Sequence, residues 1–247
     1  MKIENSNFLI TGGAKRLGRA IALGLARSGG NCVICYHTSE KEAFEVVSQI
    51  ETWGGKAIAI GQDLRNPLGL DSLIRRSEEA LGPIDGLINC AAIFKKDSSS
   101  NNQQKLLSEH LAINATVPLI LSEMFADAFT QSHDDFATGA IINLIDSRID
   151  CPSDGYRAYY TSKQVLYNHT KSLALSLAPR VRVNGISPGA IIPLENRDES
   201  YFEKMSKILP LRRTGSVEDI VMATQFLLVE EFITGEVLKI DGGGHLL

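Results

Sequence analysis

The chain has 247 residues, 44% of them hydrophobic, and a formal net charge of −4. That length and balance suit one α/β domain, and give no general reason to expect a nucleic acid or a membrane as partner. Four cysteines over this length do not make a disulfide framework, and five histidines without ligand spacing predict no metal site.

Met1 to Asn7 is short and leads straight into Phe8–Thr11, an apolar run that predicts a buried strand. No signal peptide is expected, no apolar run reads as long enough to cross a bilayer, and the cytoplasm is the expected location. Thr11-Gly12-Gly13 then turns the chain, and Arg16 to Ala26 reads as a helix with Leu17, Ile21, Ala22 and Leu25 on one stripe. A glycine turn between a strand and a helix lets backbone approach a pyrophosphate, and the helix N-terminus offers free N–H groups to it. The spacing is Gly12-x-x-x-Arg16-x-Gly18, with Arg16 where a middle glycine is more usual.

Further strands are predicted near Cys32–Tyr36, Ala57–Ile60, Gly86–Cys90, Ala140–Asp146, Val181–Ile186 and Val237–Ile240, with helices between them. Cys32 and Cys35 fall within one strand at an odd spacing, so they point to opposite faces and read as core residues. Lys95 to Lys105, KKDSSSNNQQK, reads as an exposed, mobile loop. Ser216 with Asp219 three residues on approximates a capping box. The alternation predicts a single α/β domain spanning residues 1–247. Its core is a doubly wound, parallel, seven-stranded sheet with helices on both faces, and ligands bind at the C-terminal strand edge.

The end of the second strand bears on the cofactor. An acidic side chain there would bond an adenosine ribose and repel a 2′-phosphate. Here it reads Tyr36-His37-Thr38-Ser39, with the first acid, Glu40, later, and with Lys15 and Arg16 in the glycine turn. Two cations, an imidazole and two hydroxyls suit a phosphate dianion, which favours NADPH; the two cations are otherwise simply solvated.

The fifth predicted strand leads to Tyr159-x-x-x-Lys163 at the start of an amphipathic helix. Residues four apart share a helix face at about 5–6 Å between Cβ atoms. A lysine so placed can lower the pKa of a phenol and make it a usable proton donor or acceptor. Tyr156 and Tyr160 have no lysine four residues on and read as packing or wall residues.

Thr11-Gly12-Gly13-Ala14-Lys15-Arg16-Leu17-Gly18 followed far downstream by Tyr159-x-x-x-Lys163 resembles the short-chain dehydrogenase/reductase family. So do Asp63-Leu64, Asn89-Cys90-Ala91-Ala92, Asn114, Ser187-Pro188-Gly189 and Asp241-Gly242-Gly243, and the likeness covers essentially the whole chain. Within the family, the first motif looks like the pteridine reductases and the bacterial dihydromonapterin reductases, and the C-terminal run from Ile233 to His245 looks like the latter. The resemblance implies that Asp63 and Leu64 border the adenine, Asp63 being otherwise a turn or capping residue. It implies that Asn89, Ala91, Pro188 and Gly189 border the cofactor. It makes Phe94 the aromatic that stacks on a pterin, the alternative being a core phenylalanine. It gives Asn114 a part in a proton relay to Lys163, the alternative being a helix-bending asparagine. Residues 190–213 become a substrate lid. It also implies a homotetramer, with a C-terminal tail that can reach a neighbour's site.

The family usually places a serine where this chain has Asp146, with Ser147 next to it. A serine hydroxyl donates to the alkoxide that develops from a ketone, whereas an ionised carboxylate would repel it. Reduction of a pterin puts the proton on a ring nitrogen, and an acid–phenol pair suits that. The expected activity is therefore NADPH-dependent reduction of a dihydropterin, of monapterin, biopterin or folate type. Tyr159 gives the proton, Asp146 and Lys163 assist, and Phe94, Asp146 and Tyr159 meet the substrate. The alternatives are a carbonyl or 3-oxoacyl thioester reductase that uses Ser147 in a shifted register, or a non-catalytic NADPH-binding protein.

Overall fold

The computed structural model describes residues 1–66, 68–97, 102–150, 154–193 and 199–247. Seven apolar runs form one sheet: β1 (Asn7–Thr11), β2 (Asn31–Tyr36), β3 (Ala57–Gly61), β4 (Gly86–Asn89), β5 (Gly139–Leu144), β6 (Val181–Pro188) and β7 (Val237–Ile240). Their order is β3-β2-β1-β4-β5-β6-β7, and every neighbouring pair is parallel. Parallel strands need crossovers. These are α1 (Arg16–Arg27), α2 (Glu40–Thr52), α3 (Leu68–Leu81), α4 (Gln103–Leu111), α5 (Val117–Ser132), α6 (Arg157–Ser176), α7 (Glu199–Ile208) and α8 (Val217–Val229).

The strands are apolar throughout because both faces are covered. Successive side chains divide between two cores. Phe8, Ile10, Cys32, Ile34, Ile88 and Ile142 pack with Ile21, Leu25, Val46, Ile50, Ile220 and Leu227 of α1, α2 and α8. Leu9, Val33, Cys35, Leu87 and Ile141 pack with Leu70, Leu73, Leu121, Phe125 and Leu173 of α3, α5 and α6. Cys32 and Cys35 thus enter opposite cores as free thiols, as their odd spacing predicts. Full burial of each Leu, Ile or Phe contributes about 1.5–3 kcal/mol, so truncating Phe125 to Ala should cost about 3–5 kcal/mol.

The connection order reverses between β1 and β4, which opens a crevice at their C-terminal ends. Thr11 ties the two strand ends together there: its Oγ1 accepts the N–H groups of Cys90 and Ala91 at 3.0 and 3.1 Å. The predicted capping box at α8 is present, with the Asp219 carboxylate accepting the Ser216 N–H at 2.8 Å.

Three expectations need correction. Strand β5 ends at Leu144, so Ile145 and Asp146 lie beyond the regular ladder. Gln103 to Lys105 are helical, which confines the polar loop to Lys95–Asp97 and Asn102 among the described residues; the part at 98–101 lies outside them. Finally, Gln103–Ser132 is one continuous helical segment, long and apolar enough by composition to cross a membrane, with a mean hydropathy of 1.3 over its most apolar stretch. Hydropathy and length cannot separate such a span from a core helix. Val117, Leu121, Phe125 and Phe129 of this segment are buried in the second core.

Candidate active site

A cavity of about 650 Å³ occupies the crevice, walled by the glycine turn, the ends of β2, β4, β5 and β6, and helices α6 and α7. At one end Gly12 takes φ +65°, and a Cβ there would lie 2.9 Å from Ala91 Cα. A Cβ on Gly18 would strike the Gly12 carbonyl. Arg16 also takes a left-handed φ of 51°, the conformation that a glycine would hold without strain. The N-cap of α1, Lys15, makes no side-chain cap hydrogen bond, and Lys15 to Gly18 line the cavity, which leaves this helix N-terminus open to an anion. This cradle fits the pyrophosphate of a dinucleotide.

Tyr36 and His37 line the same cavity further along, while Thr38 and Ser39 do not. Lys15 pairs with Glu42 at 2.8 Å, and the Tyr36 hydroxyl donates to Glu40 at 3.2 Å. Acids of α2 therefore do reach this end. The Arg16 guanidinium crosses the cavity and donates to the Pro193 carbonyl at 2.9 Å.

At the other end the chemistry gathers on β5 and α6. The Tyr159 hydroxyl donates to Asp146 Oδ2 at 3.0 Å, and Asp146 Oδ1 accepts the Arg148 N–H at 2.8 Å. Burial pushes the Asp146 carboxyl above its ordinary range, and the Arg148 N–H, the phenol and Lys163 pull it only part of the way back. Burial, then Asp146, pushes the Tyr159 phenol well above 10. Lys163 is buried, its ammonium donates to the Leu144 carbonyl at 2.6 Å, and desolvation lowers its pKa to about 8. The direction is opposite to the expected lowering by Lys163: burial and the neighbouring carboxylate raise the phenol. A phenol held in its protonated form is a proton donor.

Phe94 stands edge-on to Tyr159, with ring centroids 4.6 Å apart, and stacks on Tyr156 at 4.6 Å. It therefore presents an aromatic wall beside the proton donor.

Residues 12–245 match a family model described as enoyl-(acyl carrier protein) reductase. The chain belongs to the short-chain dehydrogenase/reductase family. The crystal structure of FolM alternative dihydrofolate reductase 1 from Brucella canis, complexed with NADP, superposes with a TM-score of 0.92 at 31% identity. That match covers 100% of this chain and 96% of that one. The Brucella suis protein of the same name, also in complex with NADP, gives 0.91 at 32% identity, covering 100% and 97%. An uncharacterised oxidoreductase of Mycobacterium tuberculosis is 30% identical over 98% of this chain and 93% of its own length.

Of the residues that the family resemblance singles out, Gly12, Lys15, Arg16, Leu17, Gly18, His37, Leu64, Ala91, Phe94, Asp146, Tyr159, Lys163, Pro188 and Gly189 line the one cavity. Asp63 does not. Its carboxylate is held by the Arg65 guanidinium and backbone N–H, which keep its pKa at about 2, and it serves the turn after β3. Asn89 is buried behind the crevice and donates to Asn143 at 2.9 Å. Asn114 sits in a π-helical turn, Ala112–Thr116, and brackets Ile93. It accepts the Ile93 N–H at 2.8 Å and donates to the Ile93 carbonyl and to Ser162 at 3.0 Å. Its side chain thus fixes the segment that carries Phe94 and reaches α6 at Ser162. Part of the expected lid, residues 194–198, lies outside the described residues; Tyr201, Phe202 and Met205 of α7 face the cavity.

Of the residues that follow, only Asp97 carries no sequence signal. Ser147 lines the cavity beside Asp146, with its N–H on the Pro188 carbonyl at 3.2 Å. Asp97 accepts the N–H groups of Arg157 and Ala158, capping α6 from 60 residues away. The C-terminal tail folds over its own chain's cavity, to which Gly244, His245 and Leu247 contribute.

Proposed function

We propose that this chain is an NADPH-dependent dihydropterin reductase. The observation that carries the reading is the hydrogen bond from Tyr159 to Asp146. An ionised carboxylate beside the donor disfavours a developing alkoxide and favours a group that gains its proton on nitrogen. The NADP-complexed FolM dihydrofolate reductases of Brucella, at TM-scores above 0.9, support both cofactor and substrate class.

When bound, NADPH supplies the hydride, which the acceptor takes at carbon 6. The glycine turn and α1 would hold the pyrophosphate, Lys15, Arg16 and His37 would favour the 2′-phosphate, and Lys163 would hold the nicotinamide ribose. Phe94 stacks on the pterin. Tyr159 would deliver a proton to N5, and Asp146, which accepts the phenol's hydrogen bond, would orient it. Hydride and proton together turn the C6–N5 double bond into the tetrahydro form.

The test is NADPH oxidation with a panel of dihydropterins by wild type and Asp146→Ser. Wild-type turnover that the serine variant loses supports the reading; a serine variant that gains pterin activity removes the acid from its role. Ser147 on the same cavity wall supports a second reading, a carbonyl or 3-oxoacyl thioester reductase. Turnover of an acetoacetyl thioester in place of any dihydropterin would establish it.

The homotetramer belongs to the same proposal. Met222, Phe226 and Val229 are exposed on one face of α8, and Phe232 beyond it is fully exposed. A solution mass of four chains by light scattering supports the tetramer, and a monomer mass ends it.

A further inference from the structure

Asp241 lies just past β7 with its side chain 2% exposed. Its carboxylate accepts the N–H of Gly243 at 3.0 Å, the N–H of His245 at 2.8 Å, and the ring Nδ1 of His245 at 2.9 Å. The carboxylate is the acceptor in these contacts, so Nδ1 carries a ring proton and Nε2 is the ring nitrogen turned away from Asp241. Nε2 has no hydrogen-bond partner among the described residues, and the ring lines the cavity that holds Tyr159 and Asp146.

The wall between the two sites is continuous. The Ser147 N–H donates to the Pro188 carbonyl at 3.2 Å, and the Gly189 N–H to the Ile240 carbonyl at 2.9 Å. A Cβ on Gly189 would lie 2.7 Å from Asp241 Cα. The Asp241–His245 pair therefore abuts the strand end that steadies the Asp146 turn.

We propose that His245, oriented by Asp241, accepts a hydrogen bond from a hydroxyl on the substrate's side chain, so that polyhydroxylated dihydropterins are selected over those with an apolar chain. This inference rests on the dihydropterin reading. In a dihydropterin reduced across C6–N5, the side chain hangs from C6 itself. Seating that bond at Tyr159 puts the first hydroxyls of the chain in the same cavity, where a fixed acceptor awaits a donor. A buried carboxylate behind the imidazole strengthens that acceptor and locks its orientation.

The experiment compares two dihydropterins, one with a trihydroxypropyl group at C6 and one with a methyl group, on wild type, His245→Ala and His245→Gln. The alanine variant should raise KM for the trihydroxypropyl substrate about tenfold, the scale of one hydrogen bond. Its kcat, the KM of the methyl substrate and the KM for NADPH should stay unchanged. Glutamine keeps an acceptor oxygen on a side chain of similar reach and should recover part of the loss. No change on either substrate, or the same loss on both, overturns the role of His245 while wild-type turnover leaves the pterin reading standing. A wild type that reduces neither substrate ends both.

Discussion

The phenol of Tyr159 donates to the carboxylate of Asp146 across 3.0 Å, although the two residues stand 13 apart in the chain. Strand β5 delivers one partner and helix α6 the other, and both are buried deeply enough for desolvation to dominate their titration. Burial keeps the phenol protonated, the state required of a proton donor in a reduction, while the carboxylate accepts its hydrogen bond.

Replacing Tyr159 with Phe removes the donor and keeps the ring that packs on Phe94. We expect kcat for dihydropterin reduction to fall about 10²- to 10⁴-fold. NADPH binding, followed by its fluorescence, should change little. Retention of wild-type kcat would assign the proton to another group.

Lys163, with its pKa lowered to about 8, loses its charge within an accessible range. The rate should hold through neutrality and decline as pH rises above about 8, where the ammonium proposed to bind the nicotinamide ribose becomes neutral. Lys163→Arg keeps a cation at all these values and should move the decline to higher pH. A pH–rate profile unaffected by that substitution would detach the decline from Lys163.

Asp146 links stability to pH. Its folded pKa lies above its unfolded value, so its contribution is complete below the unfolded value of about 3.9 and is lost as pH rises through the folded one. Asp146→Asn has no proton to lose there. Its melting temperature relative to wild type should climb with pH across that window, at the expense of activity. A difference independent of pH would show that the carboxyl titrates as in the unfolded chain.

Asp97 should matter beyond its distance from the chemistry, because it caps the helix that carries Tyr159. Asp97→Ala should cost about 1 kcal/mol of stability and lower kcat more than it raises KM. Asp97→Asn, still a good capping residue, should recover most of both. Urea unfolding and steady-state rates on the two variants check this; equal behaviour of Ala and Asn would refute it.

Cofactor choice follows from the cations at the glycine turn. Lys15→Ala and Arg16→Ala should raise KM for NADPH severalfold and leave KM for NADH nearly unchanged, since only the former carries the 2′-phosphate. A parallel rise for both cofactors would mean that these side chains hold the pyrophosphate or the 190–193 segment instead.

The amino-acid sequence by itself determined the doubly wound sheet. Seven apolar runs separated by amphipathic stretches can be satisfied only by parallel strands covered on both faces, and turn residues such as Gly12 mark where backbone must come close. It also paired Tyr159 with Lys163, because residues four apart on a helix share a face, and it placed the acid at Asp146. What only the tertiary structure decided are the relations between segments distant in sequence. Asn114 brackets Ile93, Asp97 caps α6, and Asp241 turns His245 toward the cavity. The direction of the Tyr159 shift belongs there too. Burial and the approach of two side chains from different elements set it, and neither quantity exists until the chain has folded.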